Sequence, residues 1–161
     1  MSSIFGKGAQ KWINKHKKTG ETFRAYWHPN GVDAVLDPNQ GTSLRYEWSY
    51  DIGNRKHGIT KSWWSNGNLN QTKTYLNGLL TGIAWFHSPL GDHSSWVIYK
   101  NGIAWEGLIT RYSSNEETEL QYPFNAIIKQ ICYDKGKQIY FKRFDYHEKK
   151  LVGTRLTEET L

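Results

Sequence analysis

Cysteine is almost missing from this chain. Cys132 stands alone among 161 residues, which excludes an internal disulfide framework and a multi-cysteine zinc site. Long apolar runs are missing too, and none approaches the roughly 18 residues that a spanning helix needs. Ile4 and Phe5 give way at once to Gly6 and Lys7, so we expect no signal peptide and a reduced, cytoplasmic setting. With 15 Gly and 4 Pro, collagen-like and low-complexity chains are excluded. Hydrophobic residues make up only 37%, yet disorder is not expected, because 8 Trp, 10 Tyr and 6 Phe are present. The chain has the size of one ordinary domain, and much of its core must be built from rings.

Acid is missing from the first twenty residues. They hold Lys7, Lys11, Lys15, Lys17 and Lys18, five of the 21 basic residues. That leaves 16 bases against 15 acids elsewhere, so most of the net charge of +6 sits on the arm and the body is nearly neutral. On a helical wheel Phe5, Ala9, Trp12 and Ile13 share one face and the lysines another, which predicts a short amphipathic helix within 1–19. Ser2 or Ser3 would cap it, against the cost of Gly6 and Gly8. Three roles are open for this arm: covering the sheet through Trp12 and Ile13, lying on an anionic membrane, or remaining a disordered arm. Phosphate binding needs clustered Lys and Arg, which the body does not supply, so nucleic acid is a secondary expectation.

What is present repeats. Gly58, Gly67 and Gly78 recur 24 residues on as Gly82, Gly91 and Gly102, and Ile59, Tyr75 and Asn77 recur as Ile83, Tyr99 and Asn101. Tyr-x-x-Gly begins at Tyr50, Tyr75, Tyr99 and Tyr133. Asn-Gly pairs at 30–31, 66–67, 77–78 and 101–102 predict type I′ hairpin turns, since Asn and Gly tolerate positive φ. Between them lie runs of strand composition and length: 59–64, 69–75, 82–86 and 95–99. Residues 127–133 and 138–144 flank another turn signal at 134–137, and 150–156 adds one more strand. The acidic run 113–119 reads as an exposed loop. The fold class is therefore all-β, a single-domain antiparallel meander of hairpins. Its parts are an arm at 1–19, repeats at 20–107, a polar region at 108–126 and a C-terminal hairpin extension at 127–161.

Glycine, an aromatic pair, Asn-Gly, then Tyr-x-Asn-Gly-x-x-x-Gly resembles the MORN repeat, and in particular the bacterial variant known from antitoxin components of toxin–antitoxin pairs. The match is best over 58–107 and weaker over 20–57. The unit at 20–31 carries two extra residues, and Pro89-Leu90 replaces Ser65-Asn66. The resemblance implies a row of hairpins in a twisted sheet, and binding rather than catalysis, as in scaffolds, dimerisation modules and membrane-associated adaptors.

No constellation argues for an enzyme. His87, Asp92 and His93 are the nearest approach to a metal cluster, and polar side chains in water beside a turn explain them better. Cys132 falls in an apolar strand pattern and is expected to be a small buried side chain. Asp145 to Glu148 reads as a solvated strand end. No cofactor is expected. The aromatics carry more weight. Trp63, Trp64, Trp85, Trp96, Trp105, Tyr75 and Tyr99 fall in the repeats and are the candidate partner-binding residues. Alternation predicts that Trp63 and Trp64 face opposite ways. The rings either build a thin core or form a strip that docks a partner, and both roles can hold for different rings. The functional expectation is a non-enzymatic protein-binding module that sequesters or inhibits another protein. The alternative is an adaptor that binds a membrane surface or nucleic acid through its basic arm. An open sheet edge also allows a homodimer.

Overall fold

The computed structural model describes Lys11 and residues 22–51, 53–114, 122–145 and 147–155. The predicted N-terminal helix lies outside these residues, apart from Lys11, which is exposed. Among them, eleven strands form one antiparallel sheet. The strands are β1 (Thr22–Trp27), β2 (Ala34–Val35), β3 (Leu44–Ser49), β4 (Gly58–Trp63), β5 (Leu69–Leu76) and β6 (Leu79–His87). They continue with β7 (Ser94–Lys100), β8 (Ile103–Tyr112), β9 (Ile127–Asp134), β10 (Lys137–Asp145) and β11 (Lys150–Arg155). From β3 to β11 each strand pairs with the next, which is the expected meander. The first unit departs from it. β1 lies between β2 and β3, and the chain returns past β1 through a 3-10 turn at Pro38–Gln40, where the Asp37 side chain accepts from the Asn39 amide.

The two ends of the hairpins use different turns. Asn77-Gly78, Asn101-Gly102 and Lys135-Gly136 have positive φ at both residues, as type I′ requires. Asn30-Gly31 and Asn66-Gly67 do not: only their glycines have positive φ. The expectation of four type I′ Asn-Gly turns is therefore corrected. At 28–31, 64–67 and 88–91 the glycine amide donates to the carbonyl three residues back, at 2.9 Å each. Asn30 and Asn66 serve instead as side-chain acceptors for following amides.

The period of 24 has a bonding cause. Gly78 donates its amide to the Lys56 carbonyl (3.1 Å), and Gly102 donates to the Leu80 carbonyl (2.9 Å). Gly136 repeats the bond with Trp105 (2.9 Å). A Cβ on any of these glycines would lie 3.2 Å from a side chain of the preceding unit: Arg55, Leu79 or Trp105. Each turn thus rests on the one before it, and glycine gives both the φ and the room.

Register separates the faces. Ala25, Tyr46, Ser62, Gln71, Phe86 and Ser95 form one row across six strands. This inner face holds the core. Ala84, Phe86, Val97, Tyr99 and Tyr112 form one cluster, with Val97 at 0% exposure, and Phe23, Ala25 and Trp48 form another. Arg24, Glu47, Lys61, Thr72, Trp85 and Trp96 form the matching row on the outer face.

The acidic loop begins later than its composition suggests. β8 runs to Tyr112, so 108–112 is strand. Ser113 and Ser114 are buried rather than exposed, at 2% and 8%. The Ser113 amide donates to Ala126 and its carbonyl accepts from Asn125, which closes the base of the loop like a further strand pair. Residues 115–121 are outside the described set.

Candidate functional site

The structure distributes the seven candidate rings over three environments. Tyr75 and Tyr99 lie on the inner face. Tyr99 is buried; burial raises its pKa, with smaller contributions from Tyr133 and Tyr75. Burial also raises that of Tyr75, whose ring lies 5.5 Å from the Lys56 ammonium. Trp105 packs against the Gly136 turn and under the Lys100 ammonium, 4.5 Å away. All three rings are engaged by neighbouring groups of the fold.

Trp85 and Trp96 stand on the outer face. They are direct Cα partners in β6 and β7, and each is 40% exposed. Ile83 and Ile98 pair directly beside them, with Ile83 at 50%. Trp85 also stacks on His87, with ring planes 6° apart. Leu76, Leu79 and Ile103 extend the exposed apolar surface toward the type I′ turns. Large rings left half in water on a sheet, rather than turned into its core, are the surface character of docking sites.

Alternation within a strand does not reach across the Trp63–Trp64 pair. Both line a single cavity of about 150 Å³ at the opposite end of the strands. The reason is that β4 ends at Trp63, so Trp64 belongs to the turn, and the β4–β5 pairing slips there. Trp64 turns onto the inner core, and its indole N–H donates to the His87 carbonyl (3.0 Å). The Trp27 indole donates likewise to the Trp63 carbonyl (3.2 Å). Successive units are thereby fastened through tryptophan side chains.

The same cavity is lined by residues that sequence reasoning missed: Trp27, Arg45 and Asn70. In the β1–β3 pairing Ala25 faces Tyr46 and Tyr26 faces Leu44, so Arg45 has no opposite residue. In the β4–β5 pairing Ser62 faces Gln71 and Trp63 faces Leu69, so Asn70 has none. Each is the extra residue of a β-bulge, a device that re-aims a side chain. The Arg45 guanidinium lies 3.8 Å over the Trp27 ring, and its Nη1 donates to the Val32 carbonyl (2.6 Å). Its Nε is buried and has no hydrogen-bond partner. Nothing in the composition marks a bulge, so no sequence signal identified either residue.

The polar groups singled out from sequence are engaged locally. Asp92 accepts from Ser88 Oγ (2.8 Å) and Asn125 Nδ2 (2.9 Å), which hold its pKa down. His87 Nδ1 is 2.8 Å from Ser94 Oγ, and burial lowers its pKa. Asp145 accepts from the His147 and Glu148 amides and so closes its turn. Cys132 is half-buried, and burial pushes its thiol pKa up. Among the described residues no three His, Cys, Asp or Glu side chains converge. No described helix is long and apolar enough to cross a membrane. No family model, curated protein or solved structure matches the chain.

Proposed function

We propose that this protein is a non-enzymatic binding module of MORN-like type that captures another protein on the outer face of its sheet. The observation that carries this reading is the Trp85–Trp96 pair: two large rings opposite each other, both 40% exposed, beside Ile83 and Ile98. Rigid rings on a hydrogen-bonded scaffold bury area on binding at small entropic cost, and for that reason Trp is enriched in binding hot spots. A sequestering or inhibitory role, as the repeat resemblance implies, needs no more than such a surface. Of the basic arm, only Lys11 is among the described residues, so the polyanion reading gains no structural support.

The test is affinity purification from the native host with the intact chain and with a Trp85→Ser/Trp96→Ser variant. Recovery of a stoichiometric protein by the intact chain alone supports the reading. No such protein, or equal recovery by both chains, defeats it.

A further inference from the structure

We infer that the bulge-flanked cavity at the Trp64 end is a binding site for a carboxylate group. Four observations converge there. Two separate bulges place Arg45 and Asn70 in its wall, although neither residue has a partner in the strand ladder. The Arg45 Nε–H is buried without an acceptor, an unmade bond on a side chain that lines the cavity, and such a bond is costly to leave unmade. The guanidinium spends one face on the Trp27 ring and one N–H on Val32, which fixes its plane and leaves an edge for an in-plane partner. Among the described residues that line the cavity, Arg45 is the one charged side chain.

The geometry selects the charge type. An indole-lined cage without a cation of its own would suit an ammonium ligand. Here Arg45 already holds the cation position over Trp27, so a second cation is repelled and an anion is attracted. The guanidinium fork matches a planar carboxylate in two parallel N–H···O bonds. The Asn70 amide adds a neutral donor, and Trp63 and Trp64 offer ring surface to an apolar stem. A volume of about 150 Å³ admits a group the size of a benzene ring. The ligand is therefore a small carboxylic acid, or one acidic side chain of a peptide. The site lies at the opposite end of the strands from the Leu76, Leu79 and Ile103 surface and does not depend on the protein-capture reading.

The intact chain is titrated with benzoate, with its uncharged isostere benzamide, and with a short peptide blocked at both ends that carries one glutamate. The readout is the indole N–H resonances in a ¹H–¹⁵N spectrum. Saturable shifts of the Trp27 and Trp64 signals with benzoate or the peptide, and not with benzamide, are expected. Whichever saturates at the lower concentration identifies the source of the carboxylate. Arg45→Gln should weaken this binding about tenfold or more, in keeping with the loss of a charge-assisted bond. Asn70→Ala, which leaves the Arg45–Trp27 stack in place, should weaken it less. Unchanged Trp85 and Trp96 signals report that each variant is folded. Shifts of equal size with benzamide, no saturable shift with either acid, or full binding by Arg45→Gln would overturn the inference.

Discussion

Trp85 and Trp96 face each other across β6 and β7 on the solvent side of the sheet, whereas Trp64, from the same repeat block, turns onto the core and donates to His87. Stability and binding should therefore separate between these rings. Trp85→Ala and Trp96→Ala each remove one half of an exposed cross-strand pair and should cost about 1 kcal/mol or less. Trp64→Ala opens the core and leaves a carbonyl without its donor, and should cost about 3 kcal/mol or more. Urea denaturation of the three variants, alongside partner recovery, checks both halves. A larger loss for Trp85→Ala than for Trp64→Ala would reverse the assignment.

Glycine substitutions should rank by what a new Cβ meets. At Gly67 φ is +92° but the space is open, so Gly67→Ala carries only left-handed strain, about 1–2 kcal/mol. At Gly107 φ is +118°, and a Cβ would clash with the Trp96 carbonyl oxygen and fall 2.8 Å from Val97 Cα, both backbone atoms that cannot swing aside. Gly107→Ala should cost at least about 3 kcal/mol and open the β7–β8 pairing. Thermal unfolding of the pair, with amide exchange in β7, measures the difference.

Lys73 gives a pH signature. Burial first, and then the Lys56 charge, push its pKa below the usual lysine value of 10.5. The folded state therefore binds fewer protons than the unfolded chain between the lowered pKa and 10.5, and stability contributed by this residue rises with pH across that window. Below the window the buried ammonium is a standing penalty. Lys73→Met should stabilise the protein at pH 7 by up to about 1 kcal/mol and flatten the rise. Denaturant titrations of the parent chain and of Lys73→Met at pH 7 and pH 9.5 check this by difference, since the raised Cys132 pKa opposes folding above pH 9 in both alike. They stay below pH 10, where ionisation of unfolded tyrosine begins to oppose folding, because Tyr75, Tyr99 and Tyr112 have raised pKa values in the fold.

Asn125 ties the base of the acidic loop to the neighbouring turn. Its side chain accepts from the Leu90 amide and donates to Asp92, at 2.9 Å each. The lowered Asp92 pKa means that this tie contributes stability above the unfolded value of 3.8, and that the contribution is lost as pH falls through the folded value. Asn125→Ala should remove part of the acid sensitivity below pH 4, while Ser88→Ala, which leaves the Asn125 bond intact, should remove less. Acid titration followed by near-ultraviolet dichroism compares the two.

The repeat was legible because its cause is local: Gly78 and Gly102 must adopt positive φ and must lie against the unit before, and both demands mark the sequence at fixed spacing. Strand positions were legible for the same reason, as turn residues frame them. The carboxylate site was not. Arg45 and Asn70 owe their placement to slips in pairing register, which depend on how two strands fit rather than on the composition of either. Alternation holds only within a strand, and the strand stops between Trp63 and Trp64, so the position of Trp64 could not be read from it. Ser113 and Ser114 looked like loop because they are polar, yet the chain beside them still pairs through Asn125 and Ala126.

The bond from each turn glycine to a carbonyl 22 residues earlier, seen at Gly78 and Gly102, has a consequence for how such a chain can change length. Every unit offers its successor the same footing it received. A duplicated copy of residues 58–81, inserted after itself, would find a carbonyl, a neighbouring strand and a side chain in the places it needs, and would hand the same three on. The sheet therefore has a natural quantum of growth. Its span is a count of units, open to gain or loss of one at a time, while extra length within a unit, as between Gly102 and Gly136, is taken up by the connection and leaves the footing of the next turn in place.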